Sequence, residues 1–76
     1  MNQAILQQNG PVTIDQVKQL QHDYARSHAG AVAIVSARLP AEHGPITSKK
    51  LFVEGNQLVY EFYRARNKDN KFYIIF

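Results

Sequence analysis

The strongest constraint on this chain lies in residues 46–66, where two runs of alternating apolar and polar residues flank a Gly55-Asn56 pair. A two-residue loop of that composition supplies the positive φ of a type I′ or II′ turn, so the segment predicts a β-hairpin with strands over 46–54 and 57–66. Facing Glu54 with Gln57 sets Phe52 against Val59, Lys50 against Glu61, Leu51 against Tyr60 and Ser48 against Tyr63. Apolar residues then meet apolar ones and opposite charges meet across the strands. Leu51, Val53, Leu58, Tyr60 and Phe62 share one face, and Lys50, Phe52, Val59, Glu61 and Tyr63 the other.

A second turn falls at Asn67-Lys68-Asp69-Asn70 and leads into a strand over 71–76. With a three-residue loop, Lys68-Asp69-Asn70, Arg66 faces Phe72 and Phe62 faces Phe76. Phe72, Ile74 and Phe76 then join Tyr60 and Phe62. A two- or four-residue loop turns them outward, because a one-residue slip moves every side chain to the opposite face. The three-residue loop is preferred because it gathers the large apolar residues on one side.

The N-terminal half reads differently. Residues 1–9 are glutamine-rich and form a short helical turn or a frayed end before the Asn9-Gly10-Pro11 break. Thr13 and Gln16 make a capping box, with Val12 placed to close on Val17, so a helix begins at 13. Asp15 suits its first turn, Arg26 and His28 its last, and Gly30 the position beyond its end, which gives a helix over 13–29. Ile14, Val17, Leu20, Gln21, Tyr24, Ala25 and His28 fall within an arc of about 140° at 100° per residue. Gln21 and His28 are the polar members of that arc and need partners if covered. Residues 31–39, apolar on both faces up to Ser36 and Arg38 and carrying β-branched Val32, Ile34 and Val35, read as a central strand. Pro40 and Pro45 then bracket a loop.

Together these elements predict a single α+β domain over residues 1–76. It has two layers, one amphipathic helix packed on a four-stranded antiparallel β-meander over 31–76, preceded by a short segment at 1–10. This element order resembles that of cystatin-like domains, a resemblance of fold alone that implies nothing about function. A chain of 76 residues, 45% apolar and 20% charged, is long enough for one globular core and too short for two.

Several chemistries are excluded. With no cysteine, the chain has no disulfide, thiolate nucleophile or cysteine metal site. The N-terminus lacks a basic signal region, and the longest uncharged apolar stretch, 29–37, is too short to span a bilayer, so the chain reads as cytoplasmic, without membrane contact. His22 and His28 stand about 120° apart on the expected helix, and no HxxxH or HxH occurs, so no metal site is assigned. His22 reads as solvated and His28 as a partner of helix-end carbonyls. Glu42 and His43, approached by Ser36 or Ser48, form the one acid–base pairing in reach, and no GxSxG elbow accompanies it. The four glycines are isolated, which leaves no phosphate loop. The chain therefore reads as non-enzymatic and without a cofactor.

Three binding readings follow. The first is a small interaction protein that self-associates, most simply as a homodimer, through the outer sheet face of Phe52, Val59, Tyr63, Tyr73 and Ile75 or through an edge strand, with another protein as an alternative partner. The second is single-stranded nucleic acid, bound by Tyr63, Arg64, Arg66, Lys68, Lys71 and Tyr73. Residues 1–45 carry no net charge, so the whole formal +3 belongs to 46–76. Without an RNP-like or KH motif, and with lysines that also protect turns and edges, nucleic acid is the less favoured partner. The third reading is a small-ligand pocket between helix and sheet, with Gln21, Tyr24 and Tyr60 as its polar groups.

Overall fold

A computed structural model describes residues 10–76; the expected turn or frayed end at 1–9 lies outside the described residues. The chain starts as the capping box requires. Thr13 accepts a hydrogen bond from the Gln16 N–H, and the Gln16 side chain accepts one from the Thr13 N–H at 3.1 Å. Helix α1, however, spans only Ile14–Lys18. The chain turns at Gln19 and Leu20, and His22–Tyr24 forms strand β1. Leu20 and Tyr24, expected in the buried arc, are exposed, and Val12 is exposed as well.

Competition from the sheet ends the helix. His22, Asp23 and Tyr24 pair in parallel with Tyr73, Ile74 and Ile75. The Tyr73 N–H donates to the Gln21 carbonyl and the Ala25 N–H to the Ile75 carbonyl. A helix continued through these residues would strip the last strand of that ladder, and its backbone groups would need other partners.

Residues 31–39 form no strand. Helix α2 occupies His28–Arg38, capped by Ser27, which accepts from the Gly30 N–H. Gly30 therefore belongs to the first turn of this helix and does not terminate the preceding one. Ala29, Ala31, Ala33 and Ala37 have the highest helix propensity, and they outweigh the β-branched Val32, Ile34 and Val35. Ala31, Val35 and Leu39 are buried at four-residue spacing, which is a helical stripe. Pro40 follows, and a single 3₁₀ turn at Ala41–His43 leads to the sheet.

Strands β2 (Ile46–Glu54), β3 (Gln57–Arg64) and β4 (Asn67–Ile75) form an antiparallel meander, and the sheet order is β1-β4-β3-β2. The α+β class holds. The sheet is mixed, because β1 is parallel to β4, and the order of elements, with a strand between two helices, departs from the cystatin-like one. The first hairpin turns at Gly55, with φ +63°, and Phe52 faces Val59. A register shift between Lys50 and Phe52 then slips the remaining pairs. Lys49 faces Glu61, Lys50 faces Tyr60, Ser48 faces Phe62 and Thr47 faces Tyr63.

The second hairpin turns earlier than expected, at Ala65 and Arg66. Arg64 faces Asn67, and an irregularity then brings Phe62 opposite Phe72, not Phe76. Lys68, Asp69 and Asn70 form part of the extra length that β4 takes up there, and the Gln21 side chain donates to Asn70 Oδ1 at 2.7 Å and to the Lys71 carbonyl at 2.6 Å. Face parity survives the shift. Phe62, Phe72 and Ile74 pack under Ala31 and Val35 of α2 and under Leu39 at its C-terminal cap, with Tyr60 and Phe76 at the margin. On the opposite face, Ile14 and Val17 of α1 cover Val59, Tyr73 and Ile75, with Leu51 and Phe52 beside them. The sheet thus carries helical cover on both sides, where one covered side was expected.

Candidate functional site

Where α2 begins, an open groove of about 270 Å³ is lined by Arg26, Ser27, His28, Leu58, Tyr60 and Phe76. The sheet builds the floor. Leu58 and Tyr60 lie two apart on β3 and share a face, and the Phe76 N–H donates to the Leu58 carbonyl at 2.8 Å, which holds the end of the chain alongside them. Arg26, Ser27 and His28 form the rim, positioned by the Ser27 cap.

The floor is aromatic. The rings of Tyr60 and Phe76 meet edge to face at 5.5 Å between centroids, and His28 stands edge-on to Tyr60 at 6.2 Å and tilted over Phe62 at 6.0 Å. Quadrupolar rings favour these geometries. His28, expected at the C-terminal end of a helix, caps the aromatic cluster from the N-terminal end of one. Across the strands, Lys50 faces Tyr60 and Val53 faces Leu58, and both are exposed.

Of the expected pocket residues, Tyr60 lines this groove. Gln21 is occupied at the irregularity of β4, and Tyr24 is exposed on β1. Arg26, Ser27, His28, Leu58 and Phe76 were not among the expected pocket residues, because their nearness depends on a helix beginning at 28.

The sheet-face set divides. Val59 and Ile75 are fully buried and Tyr73 nearly so beneath α1, while Phe52 and Tyr63 are half-buried. The expectation of a continuous open aromatic face does not hold for the three residues that α1 covers. Beyond them Glu61 is only 7% exposed. It accepts from the Tyr73 hydroxyl at 3.4 Å and lies 3.6 Å from Lys71, whose ammonium also sits 5.4 Å from the centre of the Tyr63 ring.

Burial, with the charge and hydrogen bond of Glu61 behind it, pushes the Tyr73 phenol from 10.0 up to about 12. The folded state therefore keeps its proton where the unfolded chain has lost it. This contribution is complete below pH 10 and is lost as pH rises through 12. Phenolate absorbance should show one tyrosine ionising near pH 12, and Tyr73→Phe should remove that step; a wild-type titration complete by pH 10.5 to 11, as for free phenols of pKa about 10, would contradict the burial argument.

The basic hairpin is equally committed. Arg64 donates through Nε and Nη2 to the Leu39 carbonyl and through Nη1 to the Gly44 carbonyl, and Arg66 donates to the Glu42 carbonyl. Lys68 is exposed, Lys71 is held by Glu61, and Tyr73 is covered. The six residues considered for nucleic acid therefore do not form one open surface. Glu42 and His43 approach to 3.7 Å in the loop, with Ser36 on α2 and Ser48 on β2. His22 uses Nδ1 on the Leu20 carbonyl at 2.8 Å. Among the described residues, no group of three potential ligands could hold a metal, and no helix is long and apolar enough to cross a membrane.

Comparison of the chain with protein-family models, with curated proteins and with solved structures finds no match to any of them, so the geometry of the groove carries the functional argument.

Proposed function

We propose that this chain is a small non-enzymatic binding module whose groove between the start of α2 and the sheet receives the apolar body of a small ligand. The observation that carries the reading is the groove itself: an apolar floor of Leu58, Tyr60 and Phe76 beside a short polar rim of Arg26, Ser27 and His28. An apolar concavity with a few convergent polar groups is the usual form of a ligand site. Its volume equals that of about nine liquid waters at roughly 30 Å³ each, the size of one aromatic ring with a short tail. Self-association through the sheet face and nucleic-acid binding at the last hairpin draw less support, since the first set is largely covered by α1 and the second is spent on internal bonds. The open edge at β2 carries Lys49, Lys50 and a register shift, which are devices against strand pairing.

At about −0.4 kcal/mol per non-hydrogen atom, an aromatic probe of about eleven such atoms binds in the millimolar range. Titrating the neutral hydrocinnamamide into labelled protein should give saturable amide shifts centred on residues 26–28, 58–60 and 76. Leu58→Gln should weaken that binding severalfold with little change in thermal midpoint, because Leu58 is only partly buried. Shifts absent up to about 10 mM, ten times the affinity this atom count implies, would remove the reading.

A further inference from the structure

Resting on the groove reading, we infer that the ligand is an organic anion: a carboxylate on an aromatic or aliphatic body, its charged end at Arg26. The residues lining the groove include Arg26 and His28 and no Asp or Glu. Arg26 forms no ion pair and no side-chain hydrogen bond among the described residues, whereas Arg64 and Arg66 are occupied by backbone carbonyls and Lys71 by Glu61. Lys50, opposite Tyr60, adds a second exposed cation on the same sheet face. The first turn of α2 contains no acidic residue, so the helix end adds potential of the same sign.

These charges act in one direction. A cationic ligand would be repelled at the rim, and a neutral one could take at most a single hydrogen bond without charge pairing from the guanidinium. A carboxylate matches the planar fork of arginine with two parallel hydrogen bonds. Its apolar body, seated on Leu58, Tyr60 and Phe76, would exclude water from one side of that pair, which strengthens it relative to a freely solvated surface pair.

The test uses three probes with one hydrocarbon body, hydrocinnamate, hydrocinnamamide and phenylpropylamine, titrated by NMR at low salt into the wild-type chain and into Arg26→Gln. Arg26 is exposed, so the variant should fold as the wild type does. The carboxylate should bind about tenfold more tightly than the amide, and the amine most weakly. R26Q should remove most of the preference for the carboxylate, and should weaken the amide by a much smaller factor. Equal binding of carboxylate and amide overturns the anion inference, and a carboxylate preference undiminished in R26Q overturns the placing of the charged end at Arg26, while in both cases the groove reading stands. Failure of all three probes to bind overturns both.

Discussion

Replacing Phe62 with alanine should cost about 4 kcal/mol and leave much of the protein unfolded at body temperature. Phe62 is fully buried between β3 and α2, where it packs with Ala31, Val35, Leu39, Phe72 and Ile74. Removing a buried phenylalanine costs about 3–5 kcal/mol, from lost transfer energy and the cavity left behind. At 0.05–0.15 kcal/mol per residue, a chain of this length has only about 4–11 kcal/mol of stability to lose. Urea unfolding monitored by circular dichroism measures the difference, and a loss below about 1 kcal/mol would mean that the core is not centred on this residue. Phe62 also supports the His28 and Tyr60 rings at 6.0 and 6.2 Å. Any folded fraction of the variant should therefore bind groove ligands more weakly.

Substituting Arg64 should lower stability by about 2–3 kcal/mol for Arg64→Ala, and Arg64→Lys should recover little of that. The guanidinium ties the residue that ends α2, Leu39, and the loop carbonyl of Gly44 to the third strand through three hydrogen bonds. A hydrogen bond from a charged donor is worth about 1.5–3 kcal/mol net of exchange with water, three bonds from one part-buried group add less than fully, and a lysine ammonium cannot reproduce a planar fork that reaches two carbonyls. Chemical denaturation of the three proteins provides the measurement. A stability unchanged by Arg64→Ala, coupled to altered affinity for a polyanion, would return this side chain to the surface role suggested by its charge.

The meander was legible because its signal is local. Alternation with period two and the Gly55-Asn56 turn involve neighbouring residues only, and they locate both hairpin strands. The last strand illustrates a subtler case. Its turn lies at Ala65 and Arg66, earlier than the asparagine-rich stretch suggests, yet Phe72 and Ile74 still face α2 with Phe62. The register moved by an even number of residues, and an even shift preserves the face. The uninterrupted apolar run at 31–35 had no such protection. It fits a buried helix and a buried strand alike, and periodicity alone cannot separate the two in a segment so short.

The groove was mostly illegible for a related reason. Tyr60 is legible as a residue of the helix–sheet boundary, but Arg26 and His28 read as the last turn of a helix when His28 opens α2 and Arg26 precedes its Ser27 cap, and Phe76 reads as the partner of Phe62 when Phe72 holds that position. Three segments far apart in sequence meet there, and none carries a motif of its own.

Thr13 with Gln16 and Gly55 with Asn56 set where a helix begins and where a hairpin turns, because capping bonds and positive φ depend on adjacent residues. Where that helix ends is another matter. Residues 22–24 have the amphipathic spacing to continue it, and they leave it because the backbone of β4 offers a ladder that an isolated segment lacks. Once they do, α2 can start at Ser27 and the groove opens beside it. The charge balance and the apolar content belong to the chain from the outset, whereas the covered sheet face and the position of Arg26 beside an aromatic floor follow from contacts between segments that only the folded chain brings together.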